Sequence, residues 1–411
     1  MHKFAGIIFA VALSGATVAA RPTSQSSSLN WVNTNYTGNP FGTTAVNPIP
    51  PATQSNPPPA VNEEWEPLVA PKVVPAQPVT KWMPLDTWAA QHGIGKSRLV
   101  SNLPVTTYAI NSVNGEMVLE IGSREATWNG IEIHLGFAPQ IIDDQVYMQG
   151  LDLQKNLTPL LCDPPLTLPQ TDPVIVVDPG HGGSNVGTHS ILDGRFEKEF
   201  TLDWAKRLAP LLTQEGWQVF LTRTNDTYVT NADRVIFANK HHADFYISLH
   251  FNSLAPDEKP AGIETYCLTP TGMPSTLTRG YADPWYAHFS GNAFDAQNLQ
   301  LAIRLEGALL HATGMDDRGV CRARFIEVLR GQSCPAVLIE AGFLSNPSDA
   351  RQIETPAFRE KLAHAVADAL RLKPEAENQR TETGISEIVT NKLSWPWTRW
   401  LLQIDTFAGE Q

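Results

Sequence analysis

An open, mostly parallel α/β sheet with helices on both faces, preceded by a small α+β module, is the architecture this sequence predicts, on three observations. Between residues 173 and 372, runs of β-branched apolar residues alternate with segments of helical period. The first of those runs, Val174-Ile-Val-Val, is apolar at successive positions, as a parallel strand buried on both faces requires. Upstream, over about 79–163, apolar and polar residues alternate one by one, and Asn-Gly pairs interrupt them.

The elements follow in order. Residues 1–20 read as a signal peptide: a basic start at Lys3, an apolar run from Phe4, and the small-residue site Val18-Ala-Ala20. That run is shorter than the ~20 residues a membrane-spanning helix needs, so export with cleavage is expected rather than anchoring. Residues 21–72 are rich in Pro, Ser, Thr and Asn and bury too little apolar surface to offset the entropy of ordering, so they read as a disordered linker. The sequon Asn35-Tyr-Thr37 lies within it.

The small α+β module occupies 73–163. A short helix is predicted over 85–90, ended by His92-Gly93, then strands over 107–110, 117–121, 132–135 and 145–148, with turns at Asn114-Gly115 and Asn129-Gly130. A helix-like stretch over 153–161 closes it. This pattern resembles the small repeat at the N-terminus of copper amine oxidases, which is also fused to many wall-associated enzymes. A structural or binding role is expected for it, and His134, within a strand, reads as a packed or surface histidine.

A Pro-rich linker over 164–172 leads into the second domain, 173–372. Strands are predicted over 174–178, 217–222, 244–250, 262–267, 325–329 and 336–340, and helices over 200–214, 231–240, 296–312 and 358–372. Right-handed crossovers in such a sheet place an active site beyond the C-terminal strand ends. Residues 373–411 form a polar tail ending in Trp395, Trp397 and Trp400, expected to dock on the core.

Composition excludes some functions. The formal net charge of −12 argues against nucleic-acid binding, which needs clustered Lys and Arg. Four cysteines without a CxxC pair make a thiolate zinc site an unsuitable reading, and leave disulfides and buried thiols both open.

Three residues fit for metal or acid–base work stand at predicted strand ends: His181 after the first, His250 at the third, Glu340 at the last. Zinc hydrolases commonly use three protein ligands, His₂Glu among them, and leave a position for water. His181 and His250 supply two nitrogens. Glu197 and Glu199 both lie where a carboxylate could complete the set, although acidic residues also suit a helix start without any metal. Gly180, Gly182, Gly183 and Gly187 allow the intervening loop to pass close to such a site. Asp178 reads as a carboxylate that bonds this loop rather than a ligand.

The motifs Asp178-Pro-Gly-His-Gly-Gly183, Glu197-Lys-Glu-Phe-Thr-Leu202, Thr222-Arg-Thr224, Ser248-Leu-His-Phe-Asn-Ser253, Gly262-Ile-Glu-Thr265 and Pro335-Ala-Val-Leu-Ile-Glu-Ala-Gly-Phe-Leu-Ser-Asn346 fall in the order seen in the zinc N-acetylmuramoyl-L-alanine amidases of the amidase-3 type. The chain resembles that family over about 200 residues. The resemblance implies a zinc amidase/phosphorylase-like fold, one Zn2+ per chain held by His181, Glu197 and His250, and Glu340 as catalytic acid/base. Glu197 is selected over Glu199 because the family's ligand is followed by Lys and, five residues on, by Leu. Arg223, Arg234, Asn239 and Asn252 are expected to organise loops.

The implied reaction is hydrolysis of the amide between N-acetylmuramic acid and L-alanine in peptidoglycan, by zinc-bound water that attacks with help from Glu340. A zinc peptidase acting within wall peptides, or a non-catalytic wall-binding protein, are the alternatives. The implied partners are peptidoglycan or muropeptides and a regulatory activator protein, and the implied location is periplasmic or secreted, associated with the cell wall. Residues 268–292 depart from the family pattern. Some relatives carry an inhibitory helix there, but this insert is broken by Gly and Pro and reads as a substrate-binding loop with His288 at its surface.

Overall fold

The computed structural model describes residues 72–73 and 81–372. The expectations for 1–20, for the linker 21–72 up to residue 71 and for the tail 373–411 lie outside those residues; Lys72, the last residue of that linker, instead begins a short strand. No described helix is long and apolar enough to cross a membrane.

The strands and helices are, in order, β1 (Lys72–Val73), β2 (Trp82–Pro84), α1 (Leu85–Gln91), β3 (Arg98–Ser101), β4 (Thr107–Ser112), β5 (Gly115–Glu120), β6 (Glu125–Trp128), β7 (Ile131–His134), β8 (Gln140–Ile142), β9 (Gln145–Gln149) and α2 (Gly150–Asp152). A π-helix (Leu153–Cys162) continues α2. Then follow β10 (Val174–Pro179), α3 (Glu197–Glu215), β11 (Gln218–Leu221), α4 (Asn231–Lys240), β12 (Phe245–Asn252), β13 (Ile263–Cys267), β14 (Ala287–His288), α5 (Asp295–Thr313), β15 (Asp317–Arg322), α6 (Glu327–Arg330), β16 (Ala336–Phe343), α7 (Pro347–Ile353) and α8 (Pro356–Ala369).

The central sheet runs β11-β10-β12-β16-β13-β15 and continues without a break into β7-β6-β5-β4-β3. Its first four strands are parallel, β13 is antiparallel to β16, and β15 returns parallel to β13. Successive β10 residues serve opposite faces, as the pleat demands. Ile175 and Val177 join the core beneath α3, α5 and α8, with Trp204, Leu305 and Leu362. Val176 faces the other way, with Tyr246, Leu338, Ala238 of α4 and Leu329 of α6. Helices thus cover both faces, as expected of a parallel sheet.

The junction between the two patterned segments is more intimate than a linker suggests. β7 pairs in parallel with β15 through Ile133 and Val320, and Glu132 N–H donates to Asp317 Oδ2 at 2.8 Å. Ile133, Leu135 and Leu157 belong to the same buried cluster as Leu301 and Leu305 of α5. Residues 164–170 between them form neither helix nor strand.

Several local expectations hold and some are corrected. Asn129 (φ 49°) and Gly130 (φ 85°) make the left-handed turn of the β6–β7 hairpin. The helix-like stretch over 153–161 is a π-helix because of Pro159. An α-helix would press the proline ring onto the carbonyl of Lys155. Here that carbonyl instead accepts from Arg322 Nη2 at 3.1 Å, and Asp163 N–H reaches Thr158 O, five residues back, at 2.9 Å. The strand expected over 325–329 is absent. Val328 and Leu329 lie in the short helix α6, and the strand in this region is β15, whose charged residues Asp317, Arg318 and Arg322 conceal it. Short apolar runs suit either state, and burial beneath α4 decided this one. All four cysteines are free thiols.

Candidate metal and acid–base site

The loop after β10 is shaped by buried ion pairing. Asp178 is 1% exposed, yet it holds Arg234 and accepts from Thr222 Oγ1 at 2.5 Å, Tyr246 Oη at 2.6 Å and Ser248 Oγ at 2.7 Å. Burial alone would raise its pKa; Arg234 and the three hydroxyls outweigh that and lower it. Arg234 also donates to the carbonyls of Pro179 (3.0 Å) and His181 (2.6 Å). Arg223 binds those of Pro179 (2.9 Å), Gly180 (2.8 Å) and Lys198 (2.8 Å). Both arginines therefore organise the loop. Asn239 does the same farther off, joining Gly331 O to Ser333 N.

This fixed loop carries His181 (φ 62°) over the first turn of α3. Glu197, 4% exposed, reaches His181 Nε2 through Oε2 at 3.0 Å and His250 Nδ1 through Oε1 at 2.9 Å. Its oxygens also accept from the backbone of Thr188 (3.0 Å) and Phe251 (3.1 Å). Burial would raise its pKa; the two imidazoles overcome this and hold it well below the usual carboxylate range. Burial lowers the pKa of His250. Partial burial also lowers that of His181, but Glu197 and Asn185 raise it on balance.

One donor atom from each of His181, Glu197 and His250 lies within 4.8 Å of the others, the only such group of three among the described residues. Glu199 is not part of it. Its Oε1 accepts from Phe196 N at 3.2 Å, the work of a helix-start carboxylate. The donor set suits zinc in chemistry and number, and the backbone around it leaves the space open. A Cβ on Gly187 (φ 72°) would lie 2.5 Å from Glu197 Oε2, and one on Gly180 would lie 2.3 Å from His250 Cε1. Only glycine permits those approaches.

Glu340 stands beside this group. It is the register partner of His250 on β12 and of Glu264 on β13. It is 7% exposed, and its Oε2 has no hydrogen-bond partner. Burial raises its pKa well above the ordinary value, Glu197 and Glu264 add to this, and Arg279 opposes it.

Three participants were not foreseen. Asn185 Oδ1 accepts from His181 Nδ1 at 2.8 Å, which assigns the proton to Nδ1 and leaves Nε2 as a donor for a metal. Glu264 is bound by Arg318 Nε at 2.8 Å and Asn252 Nδ2 at 3.3 Å. Arg279, from the insert, donates to Asn252 Oδ1 at 3.2 Å. Asn185 had a local signal, four residues from His181 in a Gly-rich loop, and Glu264 stands in the motif Gly262-Ile-Glu-Thr265, whereas Arg279 had none. His134 and His288 are half-buried and outside the site; His134 Nε2 lies 3.6 Å from Glu132, and His288 Nδ1 lies 3.1 Å from Thr271 Oγ1.

Residues 175–371 match the family Amidase_3, N-acetylmuramoyl-L-alanine amidase. The chain is 35% identical over 198 residues to the sporulation-specific N-acetylmuramoyl-L-alanine amidase of Bacillus subtilis, covering 48% of this chain and 66% of that protein. It is 29% identical over 218 residues to the N-acetylmuramoyl-L-alanine amidase AmiA of Escherichia coli, covering 48% of this chain and 74% of AmiA. Among solved structures, the N-acetylmuramoyl-L-alanine amidase of Clostridium difficile 630 is 32% identical, with a TM-score of 0.41, over 48% of this chain and 94% of that one. The chain thus spans just under two thirds of the Bacillus subtilis protein's length.

Proposed function

We propose, from the match of residues 175–371 to the Amidase_3 family of N-acetylmuramoyl-L-alanine amidases, that the whole chain hydrolyses the amide joining N-acetylmuramic acid to L-alanine in peptidoglycan. The observation that carries this reading is the gathering of His181, Glu197 and His250 beside the unpartnered carboxyl oxygen of Glu340. His181, Glu197 and His250 would hold one zinc ion. Zinc, when bound, supplies Lewis acidity toward a carbonyl and lowers the pKa of water.

The protein's own residues supply the rest. Asn185 keeps His181 in one tautomer and one ring orientation. Glu340 takes a proton from the attacking water at Oε2 and delivers it to the leaving amide nitrogen. An amide nitrogen leaves poorly until protonated, so the second transfer matters as much as the first. Burial favours the acid form of Glu340; Arg279 favours the base form, and a cation held by the neighbouring Glu197 would act in the same direction. Neighbours that favour each form suit a carboxyl that must both accept and return a proton.

Export directed by residues 1–20 and action on the cell wall, in the periplasm or outside the cell, complete the reading. The experiment is to digest purified muropeptides with the zinc-loaded chain and identify products by mass spectrometry. Peptides beginning with L-alanine and free muramoyl glycans are expected. Cleavage between two amino acids would make it a peptidase, and binding without cleavage would make it a wall-binding protein.

A further inference from the structure

The insert between β13 and α5, which carries Arg279, is held at many points. Ser275 N and Oγ bind Asp283 at 2.8 and 2.9 Å. Arg324 pairs with Asp283 and donates to the carbonyls of Met273 (2.8 Å) and Pro270 (3.1 Å). Thr276 N–H donates to Arg322 O at 2.8 Å, and Arg322 N–H donates back to Thr276 Oγ1 at 3.1 Å. No helix forms over 268–289.

Part of this support comes from the N-terminal side of the chain. Arg124, beside β6, donates Nη2 to the carbonyls of Ser275 (3.2 Å) and Pro274 (3.4 Å). Gly136 approaches Met273 so closely that a Cβ there would lie 2.5 Å from Met273 Cγ. Phe137 meets Trp285 edge to face, with centroids 6.3 Å apart. β1 adds its backbone to β14 of the insert.

At the insert's far end Arg279 takes a left-handed conformation (φ 49°), which residues with a side chain rarely adopt. Its guanidinium lies 5.5 Å from the centre of the Phe325 ring and 6.0 Å from that of Tyr266, and it holds Asn252. Glu264 already has Arg318 as an ion-pair partner. Asn252 and Tyr266, which Arg279 touches, both donate to Glu264, and Glu264 is the register partner of Glu340, so the guanidinium is held at the flank of that carboxyl.

We propose that the insert is an arm, braced by the N-terminal module through Arg124, that holds Arg279 against the Glu340 site as the positioning residue for that carboxyl. This rests on the amidase reading. It assigns the N-terminal module a part in catalysis as well as any part in binding the wall. The arm's strained tip and its many anchors serve one purpose, to set a single positive charge where the acid/base works.

The test uses the full zinc-loaded chain and four variants: Arg279→Met, Arg279→Lys, Arg124→Met, and the double Arg124→Met/Arg279→Met. Release of L-alanine-terminated peptide from a soluble muropeptide is followed together with zinc content and amide hydrogen exchange over 271–289. Arg279→Met should lower kcat by about 10²-fold with KM within about twofold of the parent. Arg279→Lys, which keeps the charge, should recover part of the loss with zinc unchanged. Arg124→Met should speed exchange over 271–289 and lower kcat less. The double variant should be no slower than Arg279→Met alone, because both changes remove one contribution. Parent-like kcat in Arg279→Met overturns the positioning role. Unchanged exchange in Arg124→Met, or losses that multiply in the double variant, overturns the bracing. A parent chain that releases no such peptide would count against the amidase reading itself, and exchange would still decide whether the module braces the arm.

Discussion

His250 and Glu340 are register partners on adjacent parallel strands, β12 and β16. Partners in a ladder present their side chains to the same face. The sheet therefore brings a metal-suited imidazole and a buried carboxyl together without help from any loop. Beyond this pair the register shifts, two residues of β12 (His250 to Asn252) spanning three of β16 (Glu340 to Phe343), so the extra residue lies on β16; Asn252 there reaches Glu264 and Arg279.

Glu340→Gln tests the proton-transfer role. Glutamine preserves the shape of the side chain but can neither accept the water proton nor protonate the leaving nitrogen. Turnover should fall by on the order of 10²–10⁴, with zinc content and Tm near those of the parent. Loss of zinc along with activity would make Glu340 a ligand; near-parent turnover with zinc retained would assign the protons to another residue.

Glu197 and Glu199 separate by their partners. Glu197 meets both histidines, whereas Glu199 caps the start of α3 through Phe196 N–H. Glu197→Ala and His181→Ala should abolish the ~1 equivalent of zinc. Glu199→Ala should keep the metal and lose only about 1 kcal/mol of stability. Asn185→Ala, which removes the partner of His181 Nδ1, should weaken zinc binding by roughly 10–100-fold. Chelator competition and thermal melts distinguish these outcomes, and zinc loss from Glu199→Ala would reverse the assignment.

Much of this site was legible because its residues sit at the ends of strands whose apolar runs are local and strong. Val174-Ile-Val-Val and Ala336-Val-Leu-Ile announce β10 and β16, so His181 and Glu340 could be placed from them. Arg279 could not be. Its insert has no period, and its position follows from a left-handed tip and from anchors such as Arg124, 151 residues away from Ser275. The shared sheet was hidden for a related reason. β7 and β15 meet across 185 residues, and β15 carries charges that its partners satisfy only in the folded chain.

That junction has a pH dependence. Glu132 is raised from 4.5 to about 7, first by burial, then by Asp317 and Glu125. The folded chain thus keeps a proton that the unfolded chain has already lost, so this group's contribution to stability declines as pH rises from 4.5 to about 7. Above that range the cost is complete. Glu132→Gln should therefore match the parent's Tm near the acid end and exceed it above about pH 7. A Tm difference that stays constant from about pH 5 to 8 would remove Glu132 from the pH response.

A chain that begins near Leu168 tests how far the second segment stands alone. β10, α3, β12 and β16, which carry His181, Glu197, His250 and Glu340, all lie beyond that point. The network of Asp178, Arg223 and Arg234 that shapes the loop lies beyond it too. The shortened chain should therefore still bind about one zinc ion. It should nevertheless be less stable. Removing β7 bares the edge of β15, and removing the π-helix bares apolar surface on α5 that Leu157 and Leu161 now cover. Arg322, 1% exposed, loses its acceptors Lys155 O and Asn156 Oδ1 as well. A buried cation left without partners is among the costlier changes a protein suffers, several kcal/mol where no water reaches it. Activity should fall beyond what stability explains, because Arg124, Phe137 and β1 no longer hold the arm that carries Arg279. Thermal melts, zinc analysis and turnover on a soluble muropeptide measure the three effects separately. A shortened chain as stable and as fast as the parent would show that the continuous sheet contributes to neither property, and that the module's work lies elsewhere.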